Sequence, residues 1–262
     1  MTSSLFTHIE TLQGERPWGA FLDAGTGVNS ALWGLGLKTD SWTGVTGAAG
    51  HAKQVRDRAG EALEAPRRSL LVDNWVNPAL LKGQVFDTVL ADYLVGAVEG
   101  FAPYFQRDLF RRLAPHVGGV LYVVGLDPYV VGPAQTDAAR LVREVGRLRD
   151  ACLLLADETP YREYPAEWVQ ASLTDAGFTV TDARRFPNRY REKWVHGQLD
   201  MALRRLPKLQ NRELASALAA DAERLREQGV RLCAAQDGLR AGFDYVIACR
   251  PRAFEYLTKE IG

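Results

Sequence analysis

The chain has 262 residues, of which 47% are hydrophobic and 24% charged, a composition typical of a globular protein and not of a disordered or fibrous one. Its 32 Lys and Arg residues balance 32 Asp and Glu residues, so it lacks the positive field that steers general nucleic-acid-binding proteins. The length predicts one domain with an insertion, or two small domains.

Five short apolar runs alternate with helical patterns over the first half of the chain. We predict strands at residues 20–22, 41–46, 69–72, 86–90 and 119–125. Helices are predicted between them at residues 30–37, 50–62 and 105–114. Strands separated by helices indicate βαβ units and a parallel sheet with helices on both faces.

The second half begins with a long helical pattern and a Pro-containing linker. Apolar residues at helical spacing predict a helix over 136–155, the linker covers 156–165, and a further helix covers 166–176. Strands six and seven are predicted at 178–183 and 243–248. The residues between them, 185–242, have mainly helical patterns, with helices expected at 192–206 and 211–228.

The end of the first predicted strand reads Asp23-Ala24-Gly25-Thr26-Gly27. In open parallel sheets, ligands bind outside the carboxyl ends of the strands, where this loop lies. Gly25 and Gly27 allow a tight turn and close approach of a ligand because they have no Cβ, and Asp23 accepts hydrogen bonds. A tight strand-to-helix turn without a ligand is the alternative interpretation.

This loop, the order of elements and the final FDYVIA strand resemble class I S-adenosylmethionine-dependent methyltransferases over nearly the whole chain. The resemblance implies an α/β fold with a seven-stranded, mostly parallel sheet, helices on both faces, and S-adenosylmethionine as cofactor. It also implies that the sixth and seventh strands form an antiparallel hairpin. The cofactor-binding residues that it implies lie at strand ends: Asp23, Gly25, Thr26, Gly27, Thr46, Asp73, Asn74, Trp75 and Asp92.

By that resemblance, each strand end contacts a different part of the cofactor. Asp23, Gly25 and Gly27 would line the methionine half. Asp73 and Asn74 match the place where the family reads the adenine amino group, and Trp75 would cover the adenine ring. Asp92 lies where the family places residues near the methionine amine and the acceptor.

The chain departs from the family pattern after the second strand. The family usually has a carboxylate there for the ribose hydroxyls, whereas this chain reads Val45-Thr46-Gly47-Ala48, and Thr46 offers one hydroxyl. The departure leaves open a non-catalytic member of the fold or a different nucleotide. A nicotinamide enzyme is not favoured, because Ser30 stands where the third glycine of GxGxxG belongs. The sequence also contains no Tyr-xxx-Lys pair, phosphate-binding P-loop or GxSxG nucleophile motif.

Methyl transfer by in-line attack needs proximity, orientation and, for weak nucleophiles, a base. We predict catalytic roles for Tyr93, Asp127 and His196, with packing, turn and surface roles as the respective alternatives. Aromatic side chains at the ends of strands, in the linker and in the insertion are predicted to bind the acceptor: Tyr129, Tyr161, Tyr164 and Tyr190. We find no carboxylate cluster that indicates a catalytic metal.

Two functions follow from the predicted domain organisation. Residues 1–184 and 243–262 would form the cofactor-binding domain, and the helical insertion 185–242 would cover the acceptor or form a homodimer interface. We favour methylation of a small-molecule acceptor. In the alternative, a non-catalytic or macromolecule-directed member of the fold uses the insertion to dock protein or RNA. Neutral net charge and the absence of an Asn/Asp-Pro-Pro-Tyr motif make nucleic acid a less favoured partner.

The cysteines and apolar segments indicate where the protein is expected to work. Cys152, Cys233 and Cys249 form no metal-binding spacing and no disulfide framework, which suits a reducing compartment. The first residues have no secretory signal pattern, and no apolar stretch reaches the roughly 18–20 residues that span a bilayer. We therefore expect a soluble, cytoplasmic protein without membrane contact.

Overall fold

A computed structural model describes residues 3–252 and contains one seven-stranded sheet in the order β3-β2-β1-β4-β5-β7-β6. The strands are β1 (Ala20–Asp23), β2 (Ser41–Thr46), β3 (Arg68–Val72), β4 (Phe86–Asp92), β5 (Val117–Leu126), β6 (Phe178–Tyr190) and β7 (Leu239–Pro251). Strands β1 to β5 pair in parallel, whereas β7 runs antiparallel to both β5 and β6.

Ten α-helices connect and extend these strands within the described residues. They are α1 (Ser4–Gln13), α2 (Val28–Leu35), α3 (Ala49–Ala59), α4 (Glu61–Glu64), α5 (Leu94–Ala97), α6 (Gln106–Leu113), α7 (Asp137–Leu155), α8 (Ala166–Asp175), α9 (Glu192–Leu203) and α10 (Arg212–Gln236). In residues 3–252, no helix combines the length and apolar character required to cross a membrane.

The predicted fold class, an α/β fold with a seven-stranded and mostly parallel sheet, is confirmed. The sequence patterns missed helix α1. Its Phe6 ring stacks on Trp33 of α2 with ring centroids 4.5 Å apart, and Ile9 is fully buried. This helix therefore belongs to the layer that covers one face of the sheet.

Strands β6 and β7 are each 13 residues long, about twice the predicted length. They remain paired as far as Tyr190 and Leu239, so the helical segment between them spans 191–238 and not 185–242. Polar residues and Pro187 concealed the strand pattern. Because β6 is the edge strand and the register shifts between Pro187 and Arg189, the missing proline N–H is tolerated there.

Three helices form a separate apolar core beside the sheet. Helices α7, α9 and α10 pack on one another, with Val145, Leu199 and Leu225 among the buried residues. We call these three helices the cap. Their close approach depends on Gly229 of α10, where an added Cβ would lie 2.7 Å from Cγ1 of Val195. The cap therefore combines the insertion with α7, which precedes β6 in the chain.

Candidate functional site

The ends of β1 and β4 meet at the point where the strand order reverses, which is where open α/β sheets bind ligands. Gly25 turns the chain immediately after β1. A Cβ at this position would lie 2.9 Å from Cβ of Leu94 and 3.2 Å from the carbonyl oxygen of Asp92. The loop therefore requires glycine at Gly25. At Gly27, the first residue before α2, an added Cβ would have no neighbour within 4 Å among residues 3–252.

Two carboxyl groups lie at these strand ends without the partners that buried charges normally require. Asp23 is completely buried, and although the Ser30 hydroxyl and the Gly25 N–H lie near its carboxyl group, neither oxygen accepts a hydrogen bond of normal geometry within the described chain. Burial, assisted by the charge of Asp92, raises the pKa of Asp23 to about 8. Asp92 has one buried and unpartnered oxygen, and burial and the charge of Asp244 raise its pKa to about 7. Burying a carboxyl group without a partner lowers the free energy of unfolding, unless a bound ligand supplies the missing hydrogen bond or positive charge.

A small cleft with a cavity volume of about 70 Å³ opens beside the glycine loop. Six of the predicted cofactor-binding residues line it: Gly25, Thr26, Thr46, Asp73, Asn74 and Trp75. Nine further lining residues were not predicted to bind the cofactor, among them His51, Val98, Phe101 and Tyr161. The structure therefore brings the strand-end residues of β1, β2 and β3 together, as the resemblance implied.

Hydrogen bonds of Asp73 and Asn74 stabilise the part of the cleft that lies at the end of β3. The Asp73 carboxylate accepts hydrogen bonds from the backbone N–H of Asn74 at 2.7 Å and from Nδ2 of Asn77 at 2.9 Å. A carboxylate has further lone pairs, so Asp73 remains able to accept from a ligand. Nδ2 of Asn74 donates to the carbonyl oxygen of Phe101 at 2.9 Å, which ties the two sides of the cleft together.

Trp75 forms a wall of the cleft and does not cover it. The side chain is only 3% exposed, and its Nε1–H donates to the carbonyl oxygen of Ala24 at 2.7 Å. The Arg112 guanidinium lies over the Trp75 ring, 5.4 Å from its centroid. These contacts fix the indole within the core. Trp75 therefore supports the wall of the cleft, and the structure does not place it where it could cover an adenine ring.

His51 lies near the start of α3, and its ring meets Phe101 edge-on with centroids 6.3 Å apart. It lines the cleft together with Thr46 and Gly47, the part of the chain that lacks the family's carboxylate. The sequence patterns did not indicate a role for His51. The feature of the sequence that could have indicated its place at the cleft is its position five residues after the end of β2, in the first turn of the following helix.

Solved structures of low sequence identity share this architecture. A putative methyltransferase from Bacillus halodurans is 13% identical, with a TM-score of 0.60 over 95% of this chain and 99% of that chain. An S-adenosylmethionine-dependent methyltransferase from Geobacter sulfurreducens, in complex with S-adenosyl-L-homocysteine, is 16% identical, with a TM-score of 0.51 over 95% and 90%. The cyclase SpnF is 16% identical, with a TM-score of 0.52 over 94% and 80%. No protein-family model and no curated protein matches the sequence.

The strand order and these similarities decide the fold. The antiparallel β7 inserted between β5 and β6 agrees with the hairpin that the sequence resemblance implied. The chain has the class I methyltransferase fold. In this methyltransferase fold, the cap lies at the carboxyl ends of β5 and β6, since α9 follows β6 directly.

Three predicted residues lie close together where the cap meets the sheet, and we call this place the cap crevice. The rings of Tyr129 and Tyr190 are 6.3 Å apart, and the Tyr93 hydroxyl lies at hydrogen-bonding distance from the carboxylate of Asp244. Burial raises the pKa of Tyr190, and the nearby carboxylates of Asp244 and Glu163 add to this effect. Each of these five side chains is partly exposed and none is fully buried. Asp244 and Glu163 were not predicted, because neither belongs to a recognisable motif.

Asp127 does not reach the cap crevice as a free carboxylate. It accepts a hydrogen bond from the backbone N–H of Ala166, the first residue of α8, at 3.1 Å. It also forms an ion pair with Arg185 at 2.7 Å, and Arg185 in turn binds Glu167. These contacts give Asp127 a structural role, so we withdraw its assignment as a catalytic residue.

His196 lies on the side of α9 that faces α10. Its Nδ1 is 2.7 Å from Nη1 of Arg226, which also pairs with Asp200 at 2.8 Å. Trp194, two residues earlier, points towards Tyr129. Residues two apart on a helix are about 200° apart around its axis. Helix geometry therefore turns His196 away from the cap crevice, and we withdraw its assignment as a base.

The two linker tyrosines occupy different places from the other predicted acceptor-binding residues. Tyr161 lies at the edge of the cofactor cleft, with its ring 6.4 Å from that of Phe101. Tyr164 packs on Trp168 of α8 with ring centroids 4.2 Å apart, and its carbonyl oxygen accepts from the Tyr245 hydroxyl at 3.0 Å. Tyr161 is thus placed at the cofactor cleft, and Tyr164 supports the linker.

Proposed function

We propose that this protein transfers the methyl group of S-adenosylmethionine to a small-molecule acceptor. The observation that carries the proposal is the presence, beside the tightly packed Gly25, of three buried carboxyl oxygens of Asp23 and Asp92 that have no hydrogen-bond partner within residues 3–252. The positively charged methionine end of the cofactor would supply the missing partner of these carboxyl groups. When bound, the cofactor supplies an electrophilic methyl group on a sulfonium.

The residues of the cleft fit the remainder of this cofactor. Asp73 is positioned to accept from the adenine amino group, and Phe101 and Val98 offer apolar surface to the ring. The family's ribose carboxylate is replaced here by Thr46 and His51, which together provide a hydroxyl and an imidazole. The chain therefore retains polar groups for each part of the cofactor, although not the family's usual set.

The cap supports a small-molecule acceptor. Trp194 of its helix α9 lies 6.2 Å from Tyr129, which follows β5. A cover at this place would exclude water from a bound acceptor, which strengthens electrostatic steering and protects a reactive cofactor from hydrolysis. The chain's zero net charge gives no long-range attraction for nucleic acid. A homodimer through the cap remains a separate expectation.

Binding of S-adenosylhomocysteine tests the proposal. A ligand at 100 times its Kd stabilises the native state by about 2.7 kcal/mol, or about 5–10 °C in Tm for a protein of this size. Gly27→Val should retain the Tm of the free protein, since no described residue fills that space, and lose the ligand-induced shift. Gly197→Val is the matched control, because a Cβ there also meets nothing within 4 Å but lies in the cap helix α9. A wild-type protein that shows no shift contradicts the proposal.

A second candidate is a reaction other than methyl transfer on the same cofactor-binding fold. The missing carboxylate after β2 favours it, and SpnF, which has the same fold, is named a cyclase. Binding of S-adenosylhomocysteine without transfer of a labelled methyl group to small amines, alcohols or thiols would favour this candidate.

A further inference from the structure

A groove lies between the start of α1, helix α2 and the end of β4, and we call it the α1 groove. Its cavity volume is about 550 Å³, within the size range of small-molecule pockets. Asp92 and Tyr93 line its inner end. A Cβ on Gly25 would lie only 3.2 Å from the carbonyl oxygen of Asp92. The groove therefore begins beside the glycine loop that lines the cofactor cleft.

The two helices give the α1 groove apolar walls. Four apolar side chains line it: Leu5, Phe6, Leu32 and Trp33. Phe6 stacks on Trp33, and the indole N–H of Trp33 donates to Oε1 of Glu10 at 2.7 Å, so the walls are held in place without a ligand. Leu32 is 40% exposed, and covering its surface with apolar atoms would be favourable. These walls fit the apolar body of a small molecule.

The inner end of the α1 groove offers one carboxylate oxygen. One oxygen of Asp92 is buried without a hydrogen-bond partner within residues 3–252, but the side chain is partly exposed and lines the groove. The second oxygen is therefore the one that a ligand in the groove can reach. It can accept a hydrogen bond from a hydroxyl group, and such a bond to a charged acceptor is stronger than one between neutral groups.

The charges around the α1 groove favour a neutral ligand. No Lys, Arg or His among the described residues lines the groove, so an anionic ligand would meet Asp92 without a compensating cation. In the proposed function, the positive methionine end of the cofactor balances the charge of Asp92. The second oxygen then offers a hydrogen-bond acceptor and no unbalanced charge for a further cation.

We infer that the acceptor is a neutral molecule with an apolar body and a hydroxyl group, bound in the α1 groove with its hydroxyl on Asp92. The inference rests on the proposed function and names its substrate class. For transfer, the hydroxyl gives its proton to the accessible oxygen of Asp92, while a lone pair of the hydroxyl oxygen forms the new O–C bond. The C–S bond breaks in the same step, and its electron pair neutralises the sulfonium sulfur.

Three probes of one shape test the ligand class on protein saturated with S-adenosylhomocysteine: 1-naphthol, 1-methoxynaphthalene and 1-naphthoate. Calorimetry or ligand-observed NMR measures their affinities. We expect 1-naphthol to bind about tenfold more tightly than 1-methoxynaphthalene, which cannot donate a hydrogen bond, and 1-naphthoate to bind most weakly. In Asp92→Asn, the preference for 1-naphthol over 1-methoxynaphthalene should be smaller, because a neutral amide is a weaker acceptor.

A cysteine placed in the α1 groove tests the location. The native cysteines Cys152, Cys233 and Cys249 are buried, so N-ethylmaleimide should label only an introduced thiol. Saturating 1-naphthol should slow the labelling of Leu32→Cys. Once labelled, this variant should bind 1-naphthol about tenfold more weakly. It should bind S-adenosylhomocysteine as wild type does, because Leu32 does not line the cofactor cleft. Leu214→Cys is the matched control, since Leu214 on α10 is 39% exposed, and its label should change neither affinity.

Several outcomes would overturn the inference. Equal affinity for 1-naphthol and 1-methoxynaphthalene would show that no hydroxyl is recognised, and tighter binding of 1-naphthoate would assign the groove to anions. Unchanged 1-naphthol binding by labelled Leu32→Cys would place the probe elsewhere, and loss of S-adenosylhomocysteine binding in that variant would assign the groove to the cofactor. A wild type that binds S-adenosylhomocysteine but not 1-naphthol would overturn this inference alone, whereas one that does not bind S-adenosylhomocysteine would contradict the proposed function as well.

Discussion

At the residue scale, Asp23 shows how a binding site opposes stability. A carboxyl group with no exposed surface and no hydrogen-bond partner among the described residues is a defect in a free protein. It is useful only if a cationic ligand completes it, because the ligand then gains an interaction in a region from which water is excluded. Asp92 at the end of β4 shares this feature in part, because one of its two oxygens is buried without a hydrogen-bond partner among the described residues.

Replacing Asp23 should therefore change how stability depends on pH. The pKa of Asp23 is raised from 3.8 to about 8, so the folded form holds a proton that the unfolded form has lost between these values. Stability from this group is complete below about pH 4 and decreases as the pH rises through about 8. We expect the Tm of Asp23→Asn, relative to wild type, to be higher at pH 8.5 than at pH 5, and the variant to bind S-adenosylhomocysteine poorly.

The control for this experiment is Asp57→Asn, which changes an exposed carboxylate that pairs with Lys53 on the same helix. Its Tm difference from wild type should be nearly the same at both pH values. A constant difference for Asp23→Asn as well would mean that Asp23 is solvated in solution.

His51 provides a second prediction at this scale. If it binds the ribose, His51→Ala should weaken adenosine binding by up to about tenfold, since one hydrogen bond contributes about 0.5–1.5 kcal/mol. The preference of the variant for adenosine over 2′,3′-dideoxyadenosine should also be smaller than that of wild type. Calorimetry of both ligands checks this, and an unchanged preference in the variant would refute the role.

At the element scale, the cap depends on contacts between helices that are far apart in sequence. Helices α9 and α10 cross where Gly229 meets Val195, and α7 completes the apolar core. Because this core is separate from the one around the glycine loop, its packing should affect stability without changing the cofactor cleft.

Gly229→Ala should accordingly lower stability by about 1–3 kcal/mol, the usual cost of overpacking a core. A Cβ there would lie 2.7 Å from Val195, whereas in the control Gly197→Ala, on α9, it would meet no described atom within 4 Å. Denaturant unfolding measures the difference, and the affinity for S-adenosylhomocysteine should be unchanged in both variants. A large loss of affinity in Gly229→Ala would show that the cap and the cleft are coupled.

At the scale of the whole molecule, the sheet and the cap divide the proposed task. The sheet edge holds the groups proposed to bind the cofactor, and the cap lies at the carboxyl ends of β5 and β6. Removing the insertion would also affect α7, because this helix belongs to the cap core and its apolar face would become exposed.

Deleting residues 191–238 tests this division. Tyr190 and Leu239 are register partners, so a two-residue Asn-Gly turn can close the β6–β7 hairpin. We expect the variant to bind S-adenosylhomocysteine as wild type does, to self-associate through the uncovered face of α7, and to lose methyl transfer. Calorimetry, light scattering and transfer of a labelled methyl group measure these properties. Turnover at the wild-type rate would indicate that the insertion is an interface instead of a cover.

The sequence by itself determined the elements and the fold class of this protein. The alternation of apolar strands with helices, and the glycine loop after β1, depend on local periodicity and backbone conformation, which neighbouring residues dictate. Local periodicity did not predict how far β6 and β7 extend. There, pairing between distant strands extends each element through polar residues that have no strand pattern of their own.

Only the tertiary structure decided which polar side chains are available for chemistry. Asp127 is engaged by Arg185, 58 residues away, and His196 by Arg226, 30 residues away. His51, which has no motif, is brought to the cleft by the packing of α3 beside β2. Such partnerships join residues distant in the chain, so local patterns place them at strand ends but do not show which way they face or what already occupies them.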